Sequence, residues 1–167
     1  PDKGTFVIRY PRGRGVLTDW KCPLTEIEVG TGRRLHDGWD VAVLSIGPIG
    51  NDVEKAIKLI ESAGSPETKD HCPSVAHYDM RFLKPLDEKM LEEIASRFSR
   101  IITIEDGVRN GGLGSAVTEW INDHGYKPHI TRMGMPDYFV EQGTVQQLRE
   151  ICGIDIESIK RQLTAAN

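Results

Sequence analysis

The sequence predicts an α/β fold, a mostly parallel sheet covered on both faces by helices. Three observations carry this. From residue 41 onward, short apolar runs and segments of helical apolar spacing alternate four times. The first run, Val41-Ala-Val-Leu-Ser-Ile46, is nearly continuous in apolar residues, as a strand covered on both sides requires. The length of 167 residues suits one domain, able to bury its own core without disulfide or metal staples. Strand–helix alternation of this kind implies right-handed crossovers in a sheet sandwiched by helices.

The elements follow in order. Thr5-Phe-Val-Ile-Arg-Tyr10 has strand character, and Pro11-Arg12-Gly13-Arg14-Gly15 ends it, since this run cannot continue a central strand. Residues 11–40, rich in Gly and Pro, read as a linker into an edge hairpin around Arg33-Arg-Leu-His36. After the first core strand, Val53, Ala56, Ile57, Ile60 and Ala63 form a helical stripe, with Gly64 placed as a left-handed C-cap. A polar loop over 65–73 leads to a second strand, Val75-Ala-His-Tyr-Asp79. Asp87 is placed to cap the next helix, with Leu86 and Leu91 as a hydrophobic staple and Leu91, Ile94, Ala95 and Phe98 facing inward. Ile101-Ile-Thr-Ile104 is a third strand. Gly111-Gly-Leu-Gly114 opens a helix that carries Leu113, Ala116, Val117, Trp120 and Ile121 on one side and ends at Gly125. His129-Ile-Thr-Arg132 is a fourth strand, and two short helices close the chain. The first has the capping box Thr144-x-x-Gln147, and Asp155 can cap the second.

Composition excludes several classes. A formal charge of −4 and a pI of about 5.8 argue against a nucleic-acid binder that works by neutralising phosphates. With 38% hydrophobic and 28% charged residues the chain reads as soluble and globular. No apolar run nears the ~20 residues of a membrane span, and no apolar signal segment opens the chain, so no membrane association is expected. With no leading Met, the chain is expected to be a piece cut from a longer protein. Cys22, Cys72 and Cys152 are odd in number and form no C-x-x-C pair, so a reducing cytoplasm is the default compartment. No histidine pair has metal-ligand spacing.

In open α/β sheets the working end lies beyond the carboxyl ends of the strands. Gly47-Pro48-Ile49-Gly50 reads there as a tight strand-to-helix turn. Asp79, Arg81, Lys84 and Asp87 crowd one loop; they suit ion pairs that fix it better than a ligand site. Glu105 and Asp106 are adjacent carboxylates able to do acid–base work, but successive residues of a strand point to opposite sides, and Arg109 is near enough to pair with one of them. The amides of Gly111-Gly112-Leu113-Gly114-Ser115 could receive an anion at a helix N-terminus, or the glycines could serve close packing. Residues 9–15 set three arginines on a stiffened, glycine-bearing turn, and guanidinium forks match phosphate oxygens.

Five strings then fall in a familiar order: Tyr10-Pro-Arg-Gly13 with Gly30-Thr-Gly32, Asp79-Met-Arg-Phe-Leu-Lys-Pro-Leu-Asp87, Gly111-Gly-Leu-Gly-Ser115, Pro136-Asp-Tyr-Phe139, and Gln142-Gly-Thr144. Across essentially the whole chain these resemble the C-terminal, transketolase-type domain of the 1-deoxy-D-xylulose-5-phosphate synthase family. The resemblance implies a three-layer αβα sandwich whose five-stranded, mostly parallel sheet has one antiparallel edge strand. It implies that residues 1–29 are the tail of a preceding pyrimidine-binding domain with a linker, and 30–167 the transketolase C-terminal domain. It implies a reaction that condenses pyruvate with D-glyceraldehyde 3-phosphate, releases carbon dioxide, uses thiamine diphosphate and Mg2+, and feeds isoprenoid, thiamine and pyridoxal synthesis.

The family's Gly-Asp-Gly…Asn motif for diphosphate and metal is missing, because Glu105-Asp106-Gly107 begins with an acid. The chain alone is therefore expected to bind no cofactor and to be catalytically dead. By motif match Arg12 takes the acceptor-phosphate role, with Tyr10 and Arg14 assisting and no catalytic residue in the chain. The remaining motif residues would serve structure or a homodimer interface, with the rest of the synthase chain and a small-molecule substrate as partners. Two competitors stand beside this reading. One is the matching domain of a 2-oxo acid dehydrogenase beta subunit, acting as a docking module. The other is a free-standing ligand-binding domain using the turns at 47–50 and 111–115.

Overall fold

A strand that is apolar on both faces needs cover on each side, because its side chains alternate between the two faces. In the computed structural model, which describes residues 4–10, 25–63 and 72–165, that demand builds a three-layer molecule. The elements are β1 (Arg33–His36), β2 (Val41–Ile46), α1 (Gly50–Ala63), β3 (Val75–Asp79), α2 (Glu88–Arg97), β4 (Arg100–Val108), α3 (Leu113–Asp123), β5 (His129–Met135), α4 (Val145–Cys152) and α5 (Ile156–Thr164). Val41 and Val43 pack with Val75, Ile102 and Ile104 under α1 and α5, through Val53, Ile57, Ile60, Ile159 and Leu163. Ala42 and Leu44 turn to the other face, where Tyr78 and Ile101 lie under Leu91 and Ile94 of α2 and Leu113, Val117 and Ile121 of α3. Each aliphatic side chain buried in this way stabilises the fold by about 1.5–3 kcal/mol.

The sheet order is β1-β3-β2-β4-β5. β2, β3, β4 and β5 run parallel, and β1 lies antiparallel on the edge. From β2 the chain crosses by α1 to β3 on one side, then by α2 to β4 on the other. The strand order thus reverses at the crevice between β2 and β4, where Ile46 stands beside Glu105.

Local capping follows the sequence. Asp87 accepts from the Met90 amide (3.0 Å), Asp155 from those of Glu157 and Ser158, and Thr144 with Gln147 forms the expected capping box.

Three expectations change. The edge strand is not half of a hairpin: β1 pairs with β3, with Arg33 opposite Asp79, and the chain passes the start of β3 to reach β2. The amides of Trp39, Asp40 and Val41 all point at the Ser74 carbonyl along that crossing. β4 runs on to Val108, with a register shift between Ile104 and Val108, so Glu105 and Asp106 lie within the strand rather than beyond it. Residues 4–10 form no strand, and Phe6, Val7, Ile8 and Tyr10 are exposed. Their β-favouring side chains need a neighbouring strand, and none pairs with them among the described residues. The expected cap at Gly64 lies outside the described residues.

Candidate functional site at the tip of strand β4

The bulged end of β4 sits in the crevice where the strand order reverses, and its two carboxylates part to opposite faces. Glu105, buried, turns toward α3 and accepts from the Gly114 amide at 3.1 Å. A Cβ on Gly112 would fall onto that carboxylate. The anion site formed by the helix N-terminus is therefore filled by the chain's own side chain.

Asp106 turns the other way, toward α1 and α4. It accepts from Arg149 Nη2 at 3.1 and 3.5 Å, and Nη1 of the same guanidinium pairs with Asp52 in the first turn of α1. Asp52 also takes Lys55 at 3.0 Å. Arg149 thus ties α4 to α1 and to β4 over 97 and 43 residues of sequence. Beside it lies a groove of about 140 Å3 lined by Asp106, Met135, Val145, Leu148, Arg149, Cys152 and Ile154. The lead segment reaches the same tip: Arg9 Nη2 donates to the Asp106 carbonyl at 3.0 Å.

Of the residues singled out from sequence, Arg12 and Arg14 lie outside the described residues, and Tyr10 is exposed. Arg109 does not take the place foreseen for it, because Arg149 is the partner of Asp106. The crowded loop after β3 is knitted to the segment before β1. Asp79 pairs with Arg33 at 2.9 Å, Arg81 donates to the Gly32 carbonyl at 2.7 Å, and Asp87 accepts from the Gly32 amide at 2.8 Å. The expected ion pairs within the loop are replaced by bonds to Arg33 and to the backbone of Gly32, while Lys84 stays exposed.

A buried relay under α1 has no local signature, since its three residues lie on β2, α1 and β3. Ser45 Oγ lies 2.8 Å from His77 Nε2, and His77 Nδ1 is hydrogen-bonded to Glu54. Ser45 and His77 are buried, so the row has the connectivity of a hydrolytic triad without access to a substrate. Burial lowers the His77 pKa below its ordinary 6.5, against the opposing pull of Glu54. Arg100 was missed as well. It is buried at the start of β4 and donates to the carbonyls of Leu163 (3.3 Å), Ala165 (2.7 Å) and Gln162 at the end of α5. Among the described residues no cluster of His, Cys, Asp or Glu converges to hold a metal ion, and no helix is long and apolar enough to cross a membrane.

The family described as transketolase, C-terminal domain, matches residues 30–159. The chain belongs to that family. The relatives of this transketolase C-terminal domain sharpen the likeness. It is 56% identical over 163 residues to a protein named 1-deoxy-D-xylulose-5-phosphate synthase in Bacteroides thetaiotaomicron, 98% of this chain and 24% of the relative. It is 55% identical to the protein of that name in Phocaeicola vulgatus, over 98% of this chain and 25% of the relative. The domain thus spans about a quarter of the length of the curated relatives it matches. Among solved structures it resembles a split-gene transketolase described as an inactive β4 tetramer, with a TM-score of 0.71 and 29% identity over 83% of this chain and 43% of that one. A transketolase from Leishmania mexicana shares the fold, with a TM-score of 0.54 and 16% identity over 83% of this chain and 19% of that one.

Proposed function

We propose that this domain is the C-terminal part of a 1-deoxy-D-xylulose-5-phosphate synthase, which joins pyruvate to D-glyceraldehyde 3-phosphate with loss of carbon dioxide. The observation that carries the reading is 56% identity over 98% of the chain to a relative of that name. Within such an enzyme the domain contributes Arg12 to the acceptor phosphate, contributes dimer contacts, and braces the remainder of the chain. Tyr10 and Arg14 assist at the same phosphate, and a cytoplasmic homodimer is the working form.

The described residues do not fit thiamine diphosphate or its Mg2+. The carboxylates at the sheet's working end are already taken, Glu105 by an α3 amide and Asp52 and Asp106 by Arg149. No step through the cofactor is therefore assigned to this chain, and its binding falls to the rest of the synthase. The isolated domain is accordingly inactive. The description of a structural neighbour as an inactive assembly of β chains is consistent with that reading.

The test is made on the full-length chain that carries this domain. Arg12→Ala lowers kcat/KM for glyceraldehyde 3-phosphate about 10- to 100-fold, the scale of a lost charge-assisted pair. A normal value in that variant removes Arg12 from the site. Absence of pyruvate-dependent condensation in the wild-type chain overturns the synthase reading. Turnover by the isolated domain overturns its assignment as a non-catalytic part.

A further inference from the structure

The geometry points to the buried row Ser45–His77–Glu54 as a proton-operated catch. It holds the first turn of α1 on β2 and β3 while His77 is neutral, and releases that turn, with the Asp52–Arg149 clasp, when His77 takes a proton. The catch belongs to the fold and is independent of the synthase reading.

The proton positions follow from the partners. A carboxylate only accepts, so the Glu54 contact requires the hydrogen on Nδ1 of His77. Nε2 then carries the lone pair, and the Ser45 hydroxyl, 2.8 Å away, donates to it. A further proton on the ring must go to Nε2. Ser45 Oγ then faces a donor, and its own hydrogen has to turn to the Tyr78 carbonyl at 3.5 Å, the limit of a hydrogen bond. The start of α1 sits directly on this row: a Cβ on Gly50 would lie 2.8 Å from Ser45 Oγ and 3.6 Å from His77 Cε1. His77 is wholly buried, so an imidazolium there favours any state in which α1 lifts and admits water. Burial already holds its pKa below the ordinary 6.5.

The way out is short. The Glu54 side chain is 30% exposed. Gly47, at φ 82° with open space around it, begins the turn into the helix and supplies a pivot. Asp52 lies in the same first turn and is held by Arg149 of α4, so the released turn carries half of the clasp with it.

The other groups that act on His77 are Asp79 and His36. Asp79, on the same strand, is paired with Arg33. His36 of β1 donates through Nδ1 to the Val75 carbonyl, and its Nε2 lies 3.1 Å from Glu61 near the end of α1. A proton on His36 strengthens that pair, at the opposite end of the helix and with the opposite sign.

The test is hydrogen exchange by mass spectrometry on the full-length protein that carries this domain. Rates are read between about pH 7.5 and about pH 5.5 and corrected for the intrinsic pH dependence of amide exchange. Across the first turn of α1 the expected rise is several-fold, up to the roughly tenfold that linkage allows for an opened histidine titrating near its ordinary value. The rise depends weakly on urea below the unfolding transition, because a local opening exposes little surface. Helix α4 follows with the same pH response. In Arg149→Met the α4 response is lost and that of α1 remains. His77→Asn abolishes both. Glu54→Gln keeps an acceptor for Nδ1–H but removes the counter-charge, and the α1 response persists or grows.

A rise as steep in urea as that of β4 is global unfolding and overturns the catch. So does a response that survives in His77→Asn, or one that vanishes in Glu54→Gln, since the titrating group is then not His77. If His77→Asn does not fold, Glu54→Gln decides alone. A response of α1 without α4 overturns the release of the clasp.

Discussion

The Glu105 carboxylate occupies the space that a side chain at Gly112 would need. Strand β4 and helix α3 are joined at this point through one amide–carboxylate hydrogen bond and the favourable end of a helix dipole. Gly112→Ala must expel the carboxylate or shift the helix. We expect a loss of about 2–3 kcal/mol in urea unfolding, within the range of overpacking combined with a broken buried polar contact. Glu105→Gln keeps the shape and an acceptor but loses the charge, and about 1 kcal/mol is expected. A Gly112→Ala variant as stable as the parent would remove this junction from the account.

Arg149 serves two carboxylates at once, so its loss takes the cation from Asp106 and leaves Asp52 with Lys55 alone. Arg149→Met is expected to cost about 1–3 kcal/mol, less than a fully buried pair because the guanidinium is partly exposed. The double variant Arg149→Met with Asp52→Asn should recover part of that. A double-mutant cycle read by chemical denaturation gives the coupling, and a value near zero would show that the triad holds nothing together.

His77 makes stability depend on pH. Burial lowers its folded-state pKa, so below about pH 6.5 the unfolded chain takes up a proton that the folded chain resists. The stabilisation is present above the unfolded value and is lost as pH falls toward the folded one. The slope approaches about 1.4 kcal/mol per pH unit in that window. Unfolding free energies measured from pH 7.5 to 5 should show this decline, and His77→Asn should flatten it. Parallel curves for the two proteins would place the dependence elsewhere.

Arg100 holds the end of α5 by three backbone carbonyls, a geometry that matches a planar fork and that a single ammonium cannot reproduce. Arg100→Lys is expected to cost about 1–2 kcal/mol and to speed amide hydrogen exchange in the last turn of α5. Exchange in α2 should stay unchanged. Uniform acceleration in both helices would point to global destabilisation instead.

Features that depend on near neighbours were readable in advance. Asp87, Asp155 and the Thr144–Gln147 pair act on amides two or three residues away, so spacing alone locates them. The covered strands were equally readable, because a run such as the one at Val41–Ile46 has nowhere to go but between two helical layers. The candidate site was less so. Glu105 and Asp106 were visible as paired acids, and their divergence follows from the pleat. Their partners Gly114 and Arg149 lie on elements whose approach depends on the strand order.

The sequence by itself determined the order of core strands and helices from residue 41 onward, where most helices begin, and the family likeness carried by its strings. These rest on period, capping and order along the chain, which are local properties. Tertiary structure alone decided that β1 pairs with β3 rather than β2. It also decided that Arg149 rather than Arg109 answers Asp106, that His77 sits between Ser45 and Glu54, and that Arg9 rests on the tip of β4. Such pairings join residues tens of positions apart, and a hydrogen bond or ion pair depends on distances of about 3 Å that only the packed layers fix.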